Sequence, residues 1–232
     1  VSVPPAAVLT DIEGTTSPIA FVHDVLFPYA QARMAAFCAD HADDPVMDEV
    51  AKLAAGADPV RTLLGWMARD EKITPLKTIQ GMIWAEGYAK GEITAVLYPD
   101  VAPALRRWVQ GGVRLYVYSS GSVAAQKLLF GHTPAGDLTP LFAGFFDTKV
   151  GAKRAPMSYA AICRGANVSP AEMLFLSDVA AELDAAAAAG LRTCQLARPE
   201  DGTLAGTAHP VAADFAAVAA QFGLPKTVVS RQ

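Results

Sequence analysis

A chain of 232 residues, 52% hydrophobic and 18% charged, is long enough to bury a real core, either as one large domain or as a core domain carrying a smaller insert. Its net charge of -4 and the lack of a Lys/Arg cluster exclude the electrostatic footprint of a non-specific nucleic-acid binder. Asp184 and Asp214 interrupt the most apolar stretches, so no run reaches the roughly 18 residues of a membrane span, and small-molecule or protein partners are expected.

At the start, Val1-Ser2-Val3-Pro4-Pro5 has no basic stretch followed by an apolar run; it does not read as a secretory signal, and a cytoplasmic protein is expected. Ala6–Thr10 follows the proline pair and ends at Asp11, which predicts a buried strand opening into a polar loop. From Pro18 to about Leu97 the strand pattern fades, and helices separated by Pro45, Pro59 and Pro75 are predicted. Tyr98-Pro99-Asp100 reads as re-entry into the α/β part. Val113–Tyr118, after Gly111-Gly112 and before Ser119-Ser120-Gly121, predicts a second strand. Met173–Ser177 predicts a third, ending at Asp178, with an Ala-rich helix from Ala180 to Ala189 stopped by Gly190. Arg192–Leu196 predicts a fourth, and Asp201 to Pro210 a surface loop.

Strands alternating with helices specify an α/β fold, with a Rossmann-like parallel sheet and helices on both faces. The expected organisation is an α/β core from residues 1–18 and 97–232, with a helical insert over 19–96 after the first strand. Cys38, Cys163 and Cys194 are odd in number and widely spaced, which predicts free buried thiols rather than a disulfide framework. With no long apolar stripe left over, a monomer is expected.

In parallel sheets, ligands bind beyond the carboxyl ends of the strands, so Asp11, Ser119/Ser120 and Asp178 are expected to converge. Alternation along an extended segment predicts Asp11 and Glu13 on one side, with Gly14 allowing a turn after them. Two such carboxylates hold a hard cation such as Mg²⁺, or divide nucleophile and acid/base work between them; a solvated turn is the plainer alternative. Ser119-Ser120-Gly121-Ser122 offers hydroxyls and N–H groups to an anion, or simply caps a helix. An unpartnered Asp178 at the end of so apolar a strand would be costly, which points to a cation, or else to capping of the next helix. Lys153 fits a phosphoryl group as a point charge, or is merely solvated.

The order Asp11-x-Glu13-Gly14-Thr15, Ser119/Ser120, Lys153, Asp178 resembles the four motifs of the haloacid-dehalogenase-like hydrolase superfamily. Longer strings resemble the enolase-phosphatase family within it: Asp11 through Tyr29, Gln80–Trp84, Tyr116–His132 and Phe146–Lys153. Glu13 stands where superfamily members usually carry aspartate, a departure that looks shared by the enolase-phosphatases. A lysine is frequent in that family at the position of His23, and a histidine at that of Ala152.

The resemblance implies a cytoplasmic enzyme with one Mg²⁺ per chain, acting on a small phosphorylated diketone. Enolisation of 2,3-diketo-5-methylthiopentyl-1-phosphate would precede its dephosphorylation to the acireductone of methionine salvage. It further implies that Asp11 is the nucleophile, with Mg²⁺ held by Asp11, Asp178 and the Glu13 carbonyl, that Glu13 is the acid/base, and that Lys153, Ser119 and Ser120 bind the phosphoryl group. The base of the enolisation is left open among Glu13, His23 and Glu86. The helical insert resembles the superfamily's cap, with Trp84 and Tyr88 as candidates for the methylthio pocket or, equally, for packing. The rivals are a plain phosphomonoester phosphatase on the same scaffold and a phosphate-accepting interaction module.

Overall fold

The computed structural model describes residues 3–226. Its sheet has six parallel strands in the order β3-β2-β1-β4-β5-β6. They are β1 (Ala7–Thr10), β2 (Arg114–Tyr118), β3 (Phe142–Phe146), β4 (Met173–Ser177), β5 (Arg192–Leu196) and β6 (Val211–Ala212). The four strands expected from sequence are all present. β3 and β6 were not anticipated: β3 carries Gly144 in mid-strand at the sheet edge, and β6 has only two residues, so neither displays a period to read.

Every residue of β1 and β4 is buried, as befits central strands covered on both faces. The helices between the first strand and the second are α1 (Ile19–Phe21), α2 (Phe27–Asp40), α3 (Pro45–Ala54), α4 (Pro59–Ala68), α5 (Thr74–Ala89) and α6 (Val101–Gln110). Those between and after the later strands are α7 (Val123–Gly131), α8 (Pro156–Ala166), α9 (Ala180–Ala188) and α10 (Phe215–Phe222). Leu9, Tyr118 and Phe175 from one sheet face pack with Tyr159 and Ile162 of α8 and Leu183 of α9. On α6, Trp108 stacks against Phe215 of α10 at 5.0 Å. No helix among the described residues is long and apolar enough to cross a membrane. Cys38, Cys163 and Cys194 are free and buried.

The chain forms two compact units: the described residues up to Ile19 together with those from Ala95 onward, and Ala20–Thr94. The second unit has its own core, built on Met34, Phe37, Val50, Leu63, Ile79 and Ile83. The prolines that separate its helices sit inside their first turns, where the missing N–H costs nothing. Asp44 caps α3 by accepting from Val46 N–H at 2.9 Å, and Asp58 caps α4 by accepting from Arg61 N–H at 2.7 Å. A π-helical turn, Val22–Leu26, joins α1 to α2 and leaves His23, Asp24 and Val25 exposed.

The register of the central strands aligns their polar ends. Thr10 pairs with Val117 on one side and with Leu176 on the other, so β1, β2 and β4 end within one residue of one another.

Candidate active site

Asp11 directly follows β1, and its N–H donates to Leu176 O at 2.9 Å, which ties the start of the loop to β4. The residue is 5% exposed, and its carboxylate lies 2.7 Å from Lys153 Nζ through Oδ1. Lys153 Nζ is also 2.6 Å from Glu182 Oε2. The Ser177 hydroxyl lies 3.3 Å from Asp11 Oδ2 and 3.1 Å from Glu182 Oε2, and accepts the Val179 N–H. Burial works against the Lys153 ammonium, but Asp11 and Glu182 outweigh it and hold its pKa above the ordinary lysine value.

Lys153 lies in the loop after β3, and that loop is held in place from beneath. Tyr118 Oη donates to Gly151 O at 3.0 Å, Ser158 Oγ to Ala152 O at 2.8 Å, and Tyr159 Oη to Lys153 O at 2.7 Å. Gly151 has φ +139°, and a Cβ there would meet Ser158 Oγ at 2.3 Å, so only glycine fits.

Asp178 follows β4 and differs from its neighbours. Its Oδ1 is buried without a hydrogen-bond partner. Burial, and after it the Asp11 charge, pushes its pKa up to about 7. Gly14, at φ +68°, comes so close that a Cβ would stand 2.5 Å from Asp178 Oδ2. The expectation that Asp178 caps α9 finds no support among its hydrogen bonds, because it is the Ser177 hydroxyl that accepts the Val179 N–H at the N-cap.

The extended segment expected to carry Asp11 and Glu13 on one side gives way to a turn. The N–H groups of Thr15, Thr16 and Ser17 all converge on Ile12 O, and Gly14 supplies the left-handed residue. Glu13 is consequently exposed whereas Asp11 is buried. The buried company of Asp11 is instead Lys153, Glu182 and Asp178.

At the end of β2, Ser119 is buried and Ser120 is exposed. Capping of α7 falls to Ser122, which accepts from Ala125 N–H at 3.2 Å. Ser119 Oγ accepts from Gly121 N–H at 3.1 Å and shapes the loop. Asp147, buried after β3, accepts from Val123 N–H at 3.3 Å at the start of α7.

The strand-end acids, the serine loop and the lysine therefore belong to the carboxyl end of one sheet, in the chain order Asp11, Ser119/Ser120, Lys153, Asp178. The profile of the haloacid dehalogenase-like hydrolases matches residues 5–190. Enolase-phosphatase E1 of Acidiphilium cryptum is 60% identical over 225 residues, covering 95% of this chain and 97% of the relative. That of Gluconacetobacter diazotrophicus is 57% identical, covering 94% and 95%. The chain belongs to the enolase-phosphatase family of haloacid dehalogenase-like hydrolases. Among solved structures, the UTR4 protein of Saccharomyces cerevisiae superposes with a TM-score of 0.78 at 37% identity, covering 91% of this chain and 98% of that one. CbbY of Rhodobacter sphaeroides, crystallised with phosphate, shares the fold with a TM-score of 0.64 at 19% identity, covering 95% and 100%.

Haloacid dehalogenase-like phosphatases generally use Mg²⁺, and the residues of this chain fit that ion. Three carboxyl groups, those of Asp11, Asp178 and Glu182, face the single Lys153 ammonium, and the surplus negative charge falls where Asp178 Oδ1 lacks a partner. Among the described residues no three His, Cys, Asp or Glu side chains form a metal cage by themselves. Mg²⁺ does not need one, since it typically takes one or two carboxylates and completes its octahedron with water and substrate phosphate.

Two buried groups of this edge were missed from sequence. Glu182 sits in an alanine-rich helix where it reads as a solvated residue, yet it is 8% exposed and bonded to Lys153. Asp147 lies in a stretch that stands out only for Lys153. In the second unit, Tyr88 is 4% exposed and packed inside, which favours packing over pocket lining. Trp84 donates to Leu26 O at 2.8 Å and stacks on Phe27. Glu86 pairs with Lys90 at 2.9 Å, and His23 rides on the exposed π-helical turn.

Proposed function

We propose that the chain is a Mg²⁺-dependent enolase-phosphatase that turns 2,3-diketo-5-methylthiopentyl-1-phosphate into 1,2-dihydroxy-3-keto-5-methylthiopentene and phosphate. The observation that carries this reading is the Lys153 ammonium bridging Asp11 and Glu182 beside the unpartnered Asp178 oxygen. The name shared by its relatives supports the enolase half. With one ion per chain bound by Asp11, Asp178 and the Glu13 carbonyl, Mg²⁺ would neutralise phosphate charge and stabilise a developing enediolate.

Asp11 attacks the phosphorus; its new bond to phosphorus forms as the bond to the substrate oxygen breaks, leaving an aspartyl phosphate. Lys153, kept charged by two carboxylates, pairs with phosphoryl oxygens in company with Ser119 and Ser120. Glu13 gives its proton to the departing oxygen. It then takes one from the water that cleaves the aspartyl phosphate, which returns Asp11 and Glu13 to their starting states.

Glu13, His23 and Glu86 stand as candidate bases for the enolisation. A substitution that abolishes the enol while leaving hydrolysis of phenyl phosphate intact identifies His23 or Glu86, whereas Glu13→Gln loses both. The same reading has the chain work as a cytoplasmic monomer; its large exposed apolar side chains, such as Val25, Leu53, Met157 and Leu204, come from separate stretches.

The deciding experiment follows phosphate and ultraviolet enol absorbance together after mixing enzyme, Mg²⁺ and a 2,3-diketo-1-phosphate. Both signals are expected, and Asp11→Asn abolishes phosphate release. Phosphate without enol makes the chain an ordinary phosphatase, and neither signal refutes the substrate. An Asp11 phosphoryl group that persists for minutes would make it a phosphate-accepting module.

A further inference from the structure

Arg198 lies just beyond β5, and its guanidinium is 3% exposed. Nε and Nη2 donate to Thr15 O at 3.3 and 2.9 Å, while Nη1 reaches Asp100 Oδ1 at 2.9 Å and Ala213 O at 3.3 Å. The Tyr98 ring lies 4.1 Å beneath its centre. Burying a guanidinium is expensive unless its donors are met, and here two of them are spent on one carbonyl of the turn that follows Asp11.

We propose that Arg198 is a positioning residue for the reaction, holding the Thr15 carbonyl and thereby aiming Glu13. The inference rests on the reading of Asp11 as nucleophile and Glu13 as acid/base. The two carboxyls are secured differently. Asp11 is tied to the sheet through its N–H to Leu176 O and through Lys153. Glu13 is exposed on a turn whose backbone N–H groups donate to Ile12 O and Ser17 O, with the Thr16 hydroxyl reaching Asp11 O at 3.3 Å. Those bonds fix the shape of the turn, whereas the direction in which it points needs an outside anchor. Three bonds reach the turn from outside: Tyr98 N–H donates to Thr16 O at 3.1 Å, Ser17 Oγ donates to Val96 O at 2.7 Å, and Arg198 holds Thr15 O, which of the three is the nearest in sequence to Glu13. Arg198 is itself fixed, because the other oxygen of Asp100 accepts the Phe215 N–H at 2.8 Å. A lysine cannot replace it, since one ammonium lacks the planar fork that serves Thr15 O and Asp100 together.

Loss of Arg198 should therefore impair protonation of the leaving oxygen more than attack on phosphorus. Phenyl phosphate needs that proton; 4-nitrophenyl phosphate, which leaves as a stabilised anion, hardly does. For Arg198→Lys we expect the single-turnover rate of phenol release, which reads formation of the aspartyl phosphate and not its hydrolysis, to fall by about tenfold to a hundredfold on phenyl phosphate, with release of 4-nitrophenolate from 4-nitrophenyl phosphate changed by less than about threefold. In the same single-turnover assay, which does not read the hydrolysis common to both substrates, Glu13→Gln should show the same selective loss, and adding Arg198→Lys to it should cost nothing more.

Tyr98→Phe perturbs the same cluster, removing the Tyr98 bond to Asp201 but no bond to Thr15, and should leave the ratio of the two substrates unchanged. If Arg198→Lys does not fold, Asp100→Asn, which loosens the guanidinium without deleting it, should shift the ratio in the same direction. Equal losses on both substrates, a shifted ratio in Tyr98→Phe, or additivity with Glu13→Gln would overturn the inference. A Glu13→Gln enzyme with an unchanged ratio would instead overturn the acid/base reading beneath it.

Discussion

Lys153→Met deletes the one ammonium shared by two buried carboxylates. Asp11, Glu182 and Lys153 have side chains only 7%, 11% and 11% exposed, and the two contacts are 2.7 and 2.6 Å, so water does little to screen them. Removing one partner of a buried ion pair typically costs about 3–5 kcal/mol, because the charge left behind is uncompensated. Here two are left, facing each other across the shared Ser177 hydroxyl. The upper half of that range is therefore expected.

Amide hydrogen exchange in β1 and β4, followed at pH 8 in EDTA, reads the stability of this unit directly. At about 1.4 kcal/mol per decade, exchange limited by global opening should quicken by about three decades in Lys153→Met. The double variant Lys153→Met/Glu182→Gln removes one of the stranded charges and should regain about 0.5–3 kcal/mol relative to additivity. Unaltered exchange in Lys153→Met, or strict additivity in the double variant, would refute the shared-ammonium account. Phosphatase activity should be lost in both.

EDTA should abolish phosphate release and Mg²⁺ restore it, with Asp178→Asn requiring far more Mg²⁺ for half-maximal activity. Gly14→Ala should behave likewise in a Mg²⁺ titration, because its Cβ displaces the Asp178 carboxylate and the left-handed backbone adds about 1–3 kcal/mol of strain. Tyr159→Phe leaves the Lys153 carbonyl without its buried donor; thermal unfolding should show a loss of about 1–3 kcal/mol, and steady-state kinetics a lower kcat. Burial pushes Cys194 from 9.0 up to about 12. The folded state holds this proton more tightly than the unfolded one, so the contribution is intact below pH 9.0 and is lost as pH rises towards 12. Urea midpoints compared at pH 8 and 10.5 should fall less steeply in Cys194→Ala.

The strand ends were legible in the sequence because a buried parallel strand is an unbroken apolar run, and the first polar residue after it marks the edge where ligands bind. Asp11, Ser119 and Asp178 stand out for that reason. β3 did not, since an edge strand with Gly144 at its middle has neither the run nor the alternation. The prolines of the helical stretch announced boundaries but looked like separators, whereas with Asp44 and Asp58 they begin the helices.

By itself, then, the sequence determined the α/β class and the family, because local pattern and motif order are properties of the chain. Only the tertiary structure decided which charges are neighbours. Glu182 is an unremarkable acid in an alanine-rich helix until β4 and α9 carry it to Lys153, and Arg198 is one more arginine until β5 delivers it beneath Thr15. Glu13 and Asp11, two positions apart, part company once a left-handed Gly14 turns the chain. Burial sets the strength of each of these interactions, and burial is created by elements distant in sequence packing together.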